Sequence, residues 1–465
     1  MKKVLLLNPP GKRLYIRDYF CSKVSQADYL TQPVDLLMLS GILSQSFEVH
    51  FIDAIAGKLT IESVLREIGR IEPFAVISLF GAVSLAEDMD FARRVRQACG
   101  QVKIVGIGDA FRAGGEKYLG AGSPLDALLL DFTGQDIVSY LNGDYGAVSD
   151  MIIRDGESIL PAKMAPRSNF FNIPLPLHHL FAGYNYRHPF IRSKKFATVL
   201  ADYGCPYPCS FCIMGTLGFK VRPVDQVIDE LKLVKSLGIN EVLFHTQTFG
   251  ANPAWAKELC RKIAAEDMQI GWICFSRVDV ADPELLDVMK KAGCHTIIFG
   301  VESGSDSILK KYRKGYTGEQ IVSAVDYCDK IGIETVGTFI IGLPEETHET
   351  MAATLRLLKT IKLDYASFNV AVPRIGTVMR EDAVSLGMVD RSFDTMDQSG
   401  SDIAMRSRNL TKEEIAGYRR RAVSTFYFNA RYILRRLMKV RSVYDFTRQL
   451  NQAVALAVNT WFGKR

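Results

Sequence analysis

The stretch "DYGCPYPCSFCIMG" (Asp202–Gly215) holds Cys205, Cys209 and Cys212, three of the nine cysteines in the chain. The thiols stand at i, i+4 and i+7 in a turn-rich loop, a spacing that lets them converge on one soft metal centre. The six other cysteines (Cys21, Cys99, Cys260, Cys274, Cys294 and Cys328) are isolated, mostly in helix- or strand-like patterns. There a free thiol behaves as a small buried hydrophobe. That distribution does not fit a secreted disulfide framework, so the cluster points to a metal in a reducing compartment. Two readings of the metal compete. A structural zinc closes with four ligands, yet the expected second Cys/His pair is missing and the nearest downstream histidine, His245, falls in a strand pattern. An iron–sulfur cube held by three thiolates leaves one iron without a protein ligand, and the absent fourth thiol then becomes a binding position.

The segment before the cluster, "FATVLADYG" (Phe196–Gly204), reads as the first strand of an αβ series. It continues through "EVLFHTQTF", "QIGWICFSR", "HTIIFGVES", "IETVGTFIIG" and "YASFNVAVP", with helix patterns such as "VDQVIDELKLVKSLG" and "DPELLDVMKKAG" between them. Six such units predict a partial (β/α)6 barrel of the TIM type over residues 193–395. The site of such a barrel lies at the C-terminal ends of its strands, where the three cysteines fall. Upstream, residues 1–150 alternate "KVLLLN", "EVHFIDA", "FAVISLF", "KIVGIG" and "ALLLDF" with helix candidates around 35–44, 61–71, 86–98, 115–119 and 135–141. Continuous apolar strands separated by helices predict an α/β fold with a doubly wound, Rossmann-like parallel sheet. Ligands bind such sheets at the strands' carboxyl ends, but no GxGxxG follows the first strand.

Residues 151–192 lose the period and read as a packed interdomain linker. His178 and His179 within it read as packing or surface, because vicinal side chains do not share a face. The region 396–465 is expected to be mainly helical, with Thr411 as an N-cap ahead of Glu413 and Glu414.

At 465 residues, 48% hydrophobic and 23% charged, the chain is a globular protein of two or three domains. It contains no apolar run long enough to span a bilayer, and "MKKVLLLNPP" is too short in its apolar part for a signal peptide. A cytoplasmic location is expected. The net charge of +6 is unevenly placed: Leu410–Arg465 carries twelve Lys/Arg against three Asp/Glu, a local +9 that leaves −3 for the remainder. The basic tail, interleaved with aromatics and leucine, fits an anionic bilayer surface, a nucleic acid, or a solvated cap on the barrel. No P-loop, Gly-x-Ser-x-Gly or His-Glu-x-x-His is present.

The spacing Cys205-x3-Cys209-x2-Cys212 with Phe211 resembles the cluster loop of radical SAM enzymes. "WICFSRVD" (Trp272–Asp279), "FGVES" (Phe299–Ser303) and "GTFIIGLPEET" (Gly337–Thr347) are similar to that family's third-, fourth- and fifth-strand segments, in the same order. The resemblance implies a [4Fe–4S] cluster on Cys205, Cys209 and Cys212. It further implies S-adenosylmethionine (SAM) on the open iron, cleaved to a 5′-deoxyadenosyl radical. By the same resemblance Phe211 lies against adenine, Glu302 contacts the amino or ribose groups, Arg277 the carboxylate or ribose, and Gly342 passes near adenine. An ion pair inside the barrel is the alternative role for Arg277 and Glu302. In "HTQTF" (His245–Phe249), Gln247 and Thr248 replace an acidic pair found in many relatives.

The first 150 residues resemble the cobalamin-binding domain that precedes the barrel in one radical SAM class. The resemblance implies Asp53, Ser78, Gly106 and Gly108 as cobalamin contacts. An Asp-x-His-x-x-Gly motif is absent, and "DFTGQD" (Asp131–Asp136) stands where acids are common, so a domain that no longer holds cobalamin is the alternative. The family implies a cobalamin-dependent methyltransferase acting on an unactivated carbon of a lipid or tetrapyrrole-like substrate. Radical cyclisation, rearrangement or coupling, and a non-catalytic sensor, are the alternatives. The implied partners are an electron donor such as flavodoxin or ferredoxin and, through the tail, a peripheral membrane surface. No nucleic acid is expected.

Overall fold

The computed structural model describes residues 1–17, 29–112, 114–163, 168–393, 396–398 and 403–439. Cys21 and the distal basic tail, 440–465, lie outside the described residues. The first sheet comprises β1 (Lys3–Asn8), β2 (Glu48–Asp53), β3 (Ala75–Leu79), β4 (Lys103–Ile107), β5 (Ala127–Leu129), β6 (Met151–Asp155) and β7 (Ser158–Leu160). Its order is β2-β1-β3-β4-β5-β6-β7. The first five strands are parallel, while β6 and β7 add on antiparallel. Helices α1 (Val34–Ser44), α2 (Ile61–Ile71), α3 (Leu85–Ala98) and α4 (Asp136–Asn142) connect the parallel strands or follow them.

Residues 151–160 therefore extend the first sheet, although they were expected to begin the linker. The reason is local. "MIIRDGESIL" reverses at Gly156, whose positive φ of 62° suits a hairpin turn, and a reversal yields antiparallel neighbours without a crossover helix. The rest of the connection carries one short helix, α5 (His178–Phe181), and is pinned down rather than tethered. His178 is buried, 2.8 Å from Glu230, which also accepts from the buried Arg222. His179 is exposed.

The second sheet is six-stranded and all parallel. In chain order it has β8 (Ala197–Val199), β11 (Glu241–Phe244), β12 (Gly271–Ser276), β13 (Cys294–Glu302), β14 (Glu334–Ile341) and β15 (Tyr365–Val370). Between the first two of these, β9 (Asp202–Gly204) and β10 (Phe219–Val221) form a separate antiparallel pair. The expected single strand Phe196–Gly204 is thus broken at Leu200–Ala201, and the pair β9/β10 clamps the two ends of the cysteine loop together. Helices α6 (Val224–Ser236), α7 (Pro253–Ala265), α8 (Pro283–Lys291), α9 (Asp306–Lys311), α10 (Gly318–Ile331) and α11 (His348–Thr360) cover the second sheet. After α12 (Val378–Ser385), α13 (Lys412–Tyr427) begins with the expected Thr411 cap, a capping box with Glu414. The last described helix is α14 (Ala430–Met438).

The two sheets share one core. Helix α1 is buried from Val34 to Leu43 and apolar there except for Asp35 and Ser40, as befits a helix packed on both sides. Its cluster runs from Val4 and Leu6 of β1 to Leu200, Leu243 and Ile273 beside the second sheet. Polar ties cross the same boundary. Gln32 accepts from the Thr198 amide at 2.6 Å, and Lys220 meets Asp131 at 2.6 Å. Cys260, Cys274, Cys294 and Cys328 are free and buried, as the patterning suggested.

Candidate functional site

The order of the first sheet reverses between β1 and β3, the switch point where open α/β sheets bind ligands. Here that point is occupied by the protein itself. Arg17 is buried and donates to Asn8 Oδ1 at 2.9 Å, the Pro9 carbonyl at 3.0 Å and Asp88 Oδ1 at 2.7 Å. Asp88 also accepts from the Gly81 amide and the Ser84 hydroxyl. The four positions implied for cobalamin are used in packing. Asp53 accepts from Asn8, Tyr186 and the Ala56 amide, which tie the connection to the sheet; burial raises its carboxyl despite these bonds. Ser78 and Gly106 are cross-strand partners inside β3 and β4, with Gly106 against Phe111. A Cβ on Gly108 would sit 1.9 Å from the Phe80 carbonyl oxygen. None of the four lines either of the two cavities described below.

The carboxyl edge of the second sheet is open. A cavity of about 370 Å³ is bounded by Cys205, Cys209, Cys212, Phe211, Arg277 and Glu302, by strand-end side chains, and by His188 to Phe190 of the connection. The three thiols are free and half-buried. Each sulfur already has a donor within reach, the usual surrounding of a metal-bound thiolate. Cys205 Sγ is 3.7 Å from Thr248 Oγ1, Cys209 Sγ accepts from Arg277 Nη1 at 3.4 Å, and Cys212 Sγ accepts from the Met214 amide at 3.4 Å. Burial raises the Cys205 thiol and pushes that of Cys212 up to about 11. Among the described residues no three His, Cys, Asp or Glu side chains close on a single ion. The sulfurs instead share the wall of one cavity, and this donor set fits a larger iron–sulfur cube better than one zinc.

Arg277 and Glu302 do not pair with each other. Arg277 binds Asp279 at 2.8 Å, stacks on Tyr207 with 3.8 Å to the ring centre, and donates to the Lys314 carbonyl. Burial opposes its charge, and Asp279 more than restores it. Glu302 binds the buried Lys314 at 3.1 Å. Glu302 also has φ 64°, at a register shift in β13. A non-glycine side chain held there is a strained position of the kind found at binding sites. Lys314 is the residue that motif reading missed. It lies 5.6 Å from the Phe211 ring centre and lines the cavity, and burial against its charge is outweighed by Glu302. A lysine in "RKGYT" carries no pattern of its own; only the loop after α9 brings it back to β13. His188 is a second such residue: burial, then the neighbouring His245, push its imidazole down to about 3, so it is neutral.

Gly342 is not among the residues lining the cavity. Its amide and that of Leu343 donate to Glu346 Oε2 at 2.6 and 3.0 Å, and a Cβ on it would meet Ile415 of α13 at 2.8 Å. With φ 87° the position favours glycine for its own turn.

Residues 202–358, which contain the cysteine loop, Arg277, Glu302 and Lys314, match the family described as the radical SAM superfamily. A protein of Pyrococcus horikoshii named an uncharacterized methyltransferase is 28% identical over 419 residues, 87% of this chain and 89% of its own. The bacteriochlorophyllide d C-12(1)-methyltransferase of Chlorobaculum tepidum is 24% identical over 81% of this chain and 77% of its own. In fold, the chain matches the cobalamin-dependent SAM radical enzyme OxsB over its whole length (TM-score 0.72, 15% identity, 74% of that chain). It also matches the radical SAM methyltransferase TsrM of Kitasatospora setae (TM-score 0.64, 18% identity, 83% of this chain and 76% of that one). Residues 202–358 thus form a radical SAM domain, set within a chain that shares its overall fold with cobalamin-dependent radical SAM enzymes.

Proposed function

We propose that the chain is a cobalamin-dependent radical SAM methyltransferase acting on a hydrophobic substrate. In this reading residues 1–160 form a Rossmann-like cobalamin domain and 193–395 a partial (β/α)6 barrel. The observation that carries the proposal is the single cavity shared by three unpaired thiols, Arg277, Glu302, Lys314 and Phe211 at the carboxyl edge of the second sheet. Support for cobalamin comes from the shared fold with the cobalamin-dependent enzyme OxsB and from an apolar contact joining the carboxyl edges of the two sheets. There Ala82 and Val83, after β3, meet Val370, Val372 and Met396. The corrin would lie beside this contact, between the carboxyl edges of the two sheets.

Cys205, Cys209 and Cys212 would hold the cluster, and Phe211, Arg277, Glu302 and Lys314 the SAM. The bound groups supply an electron for cleaving SAM and a methyl group for transfer. The chain's part is to orient and to exclude water. Glu302 and Lys314 offer an acceptor and a donor for the amino and carboxylate ends of SAM. Arg277, locked by Asp279 and Tyr207, keeps positive charge beside Cys209. Leu243, Phe275, Ile298, Val336 and Phe368 make part of the lining apolar, which suits a lipid or tetrapyrrole-like substrate and shields a carbon radical.

The described residues include no helix long and apolar enough to cross a membrane. Helix α14, however, exposes Ile433, Leu434, Leu437 and Met438 beside Arg431, which supports peripheral contact with an anionic bilayer. The decisive experiment is anaerobic reconstitution with cobalamin supplied during expression. Corrinoid absorption bands, 5′-deoxyadenosine and a methylated product are expected. Protein that forms no more 5′-deoxyadenosine than Cys205→Ala would sink the enzyme reading; 5′-deoxyadenosine with a cyclised or rearranged product would sink methyl transfer alone. Failure to float with anionic liposomes would remove the membrane contact.

A further inference from the structure

A second cleft, of about 560 Å³, opens on the other side of the cysteine loop. Its walls are Tyr207 and Pro208 of that loop, Arg277, Asp279, and the end of α9 with the segment that follows it. Arg277 and Lys314 line both this cleft and the main cavity, and so form the partition between them. Four cations (Arg277, Lys310, Arg313, Lys314) face two carboxylates, Asp279 and Asp306. Asp279 is committed to Arg277, Lys314 to Glu302, and Asp306 to the Gly318 amide. Lys310 and Arg313 are exposed at the mouth and make no ion pair among the described residues. Lys311 adjoins them, also exposed. Arg313 is held at φ 56°, a conformation an arginine adopts only at a cost. The contact chain from this basic mouth inward is short: the Arg277 guanidinium lies 3.8 Å from the Tyr207 ring centre and 3.4 Å from Cys209 Sγ.

We propose that this cleft is the docking surface for an acidic one-electron carrier protein of the flavodoxin or ferredoxin type. The inference rests on the reading of Cys205, Cys209 and Cys212 as cluster ligands. Lys310 and Arg313 pair with carboxylates of the carrier and steer its approach. The Tyr207–Arg277 contact then lies between the carrier and Cys209. One electron leaves the reduced centre of the carrier, which is oxidised by one unit. It ends in the sulfonium C–S bond of SAM, which breaks; no proton or further co-reactant is required.

The test uses the reconstituted full chain and purified flavodoxin as the probe, with affinity and association rate measured directly at low and high salt. K310E/R313E is expected to slow association by about tenfold or more and to flatten its salt dependence. The same double variant is expected to form normal amounts of 5′-deoxyadenosine when dithionite replaces the carrier. K194E/K195E changes the net charge equally on an exposed loop before β8, at the opposite end of the sheet, and should bind like the parent. Unchanged binding by K310E/R313E, or equal weakening by K194E/K195E, overturns the docking assignment while leaving the cluster reading intact. A parent protein that forms no 5′-deoxyadenosine with dithionite overturns both.

Discussion

The carboxyl edges of the two sheets, one doubly wound and the other sequential, end in opposite chemical states. At the first edge the strong polar groups beside the switch point bond one another: Arg17 binds Asp88, Asn8 and the Pro9 carbonyl, and Asp53 binds Asn8 and Tyr186. At the second edge three thiols, a strained Glu302 and the buried cations Arg277 and Lys314 surround open space. The contrast teaches that the carboxyl edge of a parallel sheet is an opportunity for binding, and the side chains beside it decide which part of it stays open. It also separates two kinds of buried charge. Arg17–Asp88 is fully enclosed and acts as a strut, whereas Glu302–Lys314 borders a cavity and can exchange its partner for a ligand.

The largest expected effect breaks the second edge. Cys209→Ala should abolish iron incorporation and reduce 5′-deoxyadenosine to background, with the circular dichroism of the parent retained; bound iron at the parent level would refute the ligand set. Breaking the first edge should instead cost stability. Arg17→Ala leaves Asp88 buried without its charge partner and is expected to destabilise by about 3–5 kcal/mol in chemical denaturation. Iron content measured under native conditions should not change.

Glycines sharpen the comparison at a smaller scale. Gly108→Ala forces a Cβ against the Phe80 carbonyl at a positive φ of 145°, and should cost about 2–3 kcal/mol. Gly342→Ala carries strain of its own at φ 87°, but its nearest contact is the Ile415 side chain at 2.8 Å rather than backbone, so it should cost less. The reverse order in thermal unfolding would contradict the backbone placement.

The smallest expected effect depends on pH. Burial pushes Glu346 up to about 7, with the amide bonds from Gly342 and Leu343 only partly opposing it. Its folded value lies above its unfolded one, so the stabilisation is complete below the ordinary glutamate range and fades as pH rises through about 7. Glu346→Gln keeps an acceptor for both amides but does not titrate. Relative to the parent, its melting temperature should therefore gain as pH goes from about 5 to about 8, by on the order of 1 kcal/mol of stability. Parallel pH profiles for the two proteins would rule this out.

Much of the fold was legible because period and capping are local. Five strands of the first sheet, six of the second and the Thr411 cap follow from apolar runs and a Thr-x-x-Glu pattern. The misread stretches were those whose fate depends on a neighbour. Residues 151–160 look irregular until β5 offers them an edge, and Phe196–Gly204 looks continuous until β10 captures its second half.

By itself the sequence determined the three-thiol loop, the alternation that makes two parallel sheets, and the cap of α13, because each is written within a few residues. Only the tertiary structure decided which glycines serve backbone packing and which charges face a cavity. It alone brought Lys314 and His188 to the cysteines and showed Arg17 filling the first switch point. Those outcomes depend on long-range contacts among side chains that carry no pattern along the chain, so burial and partner choice had to be settled in three dimensions.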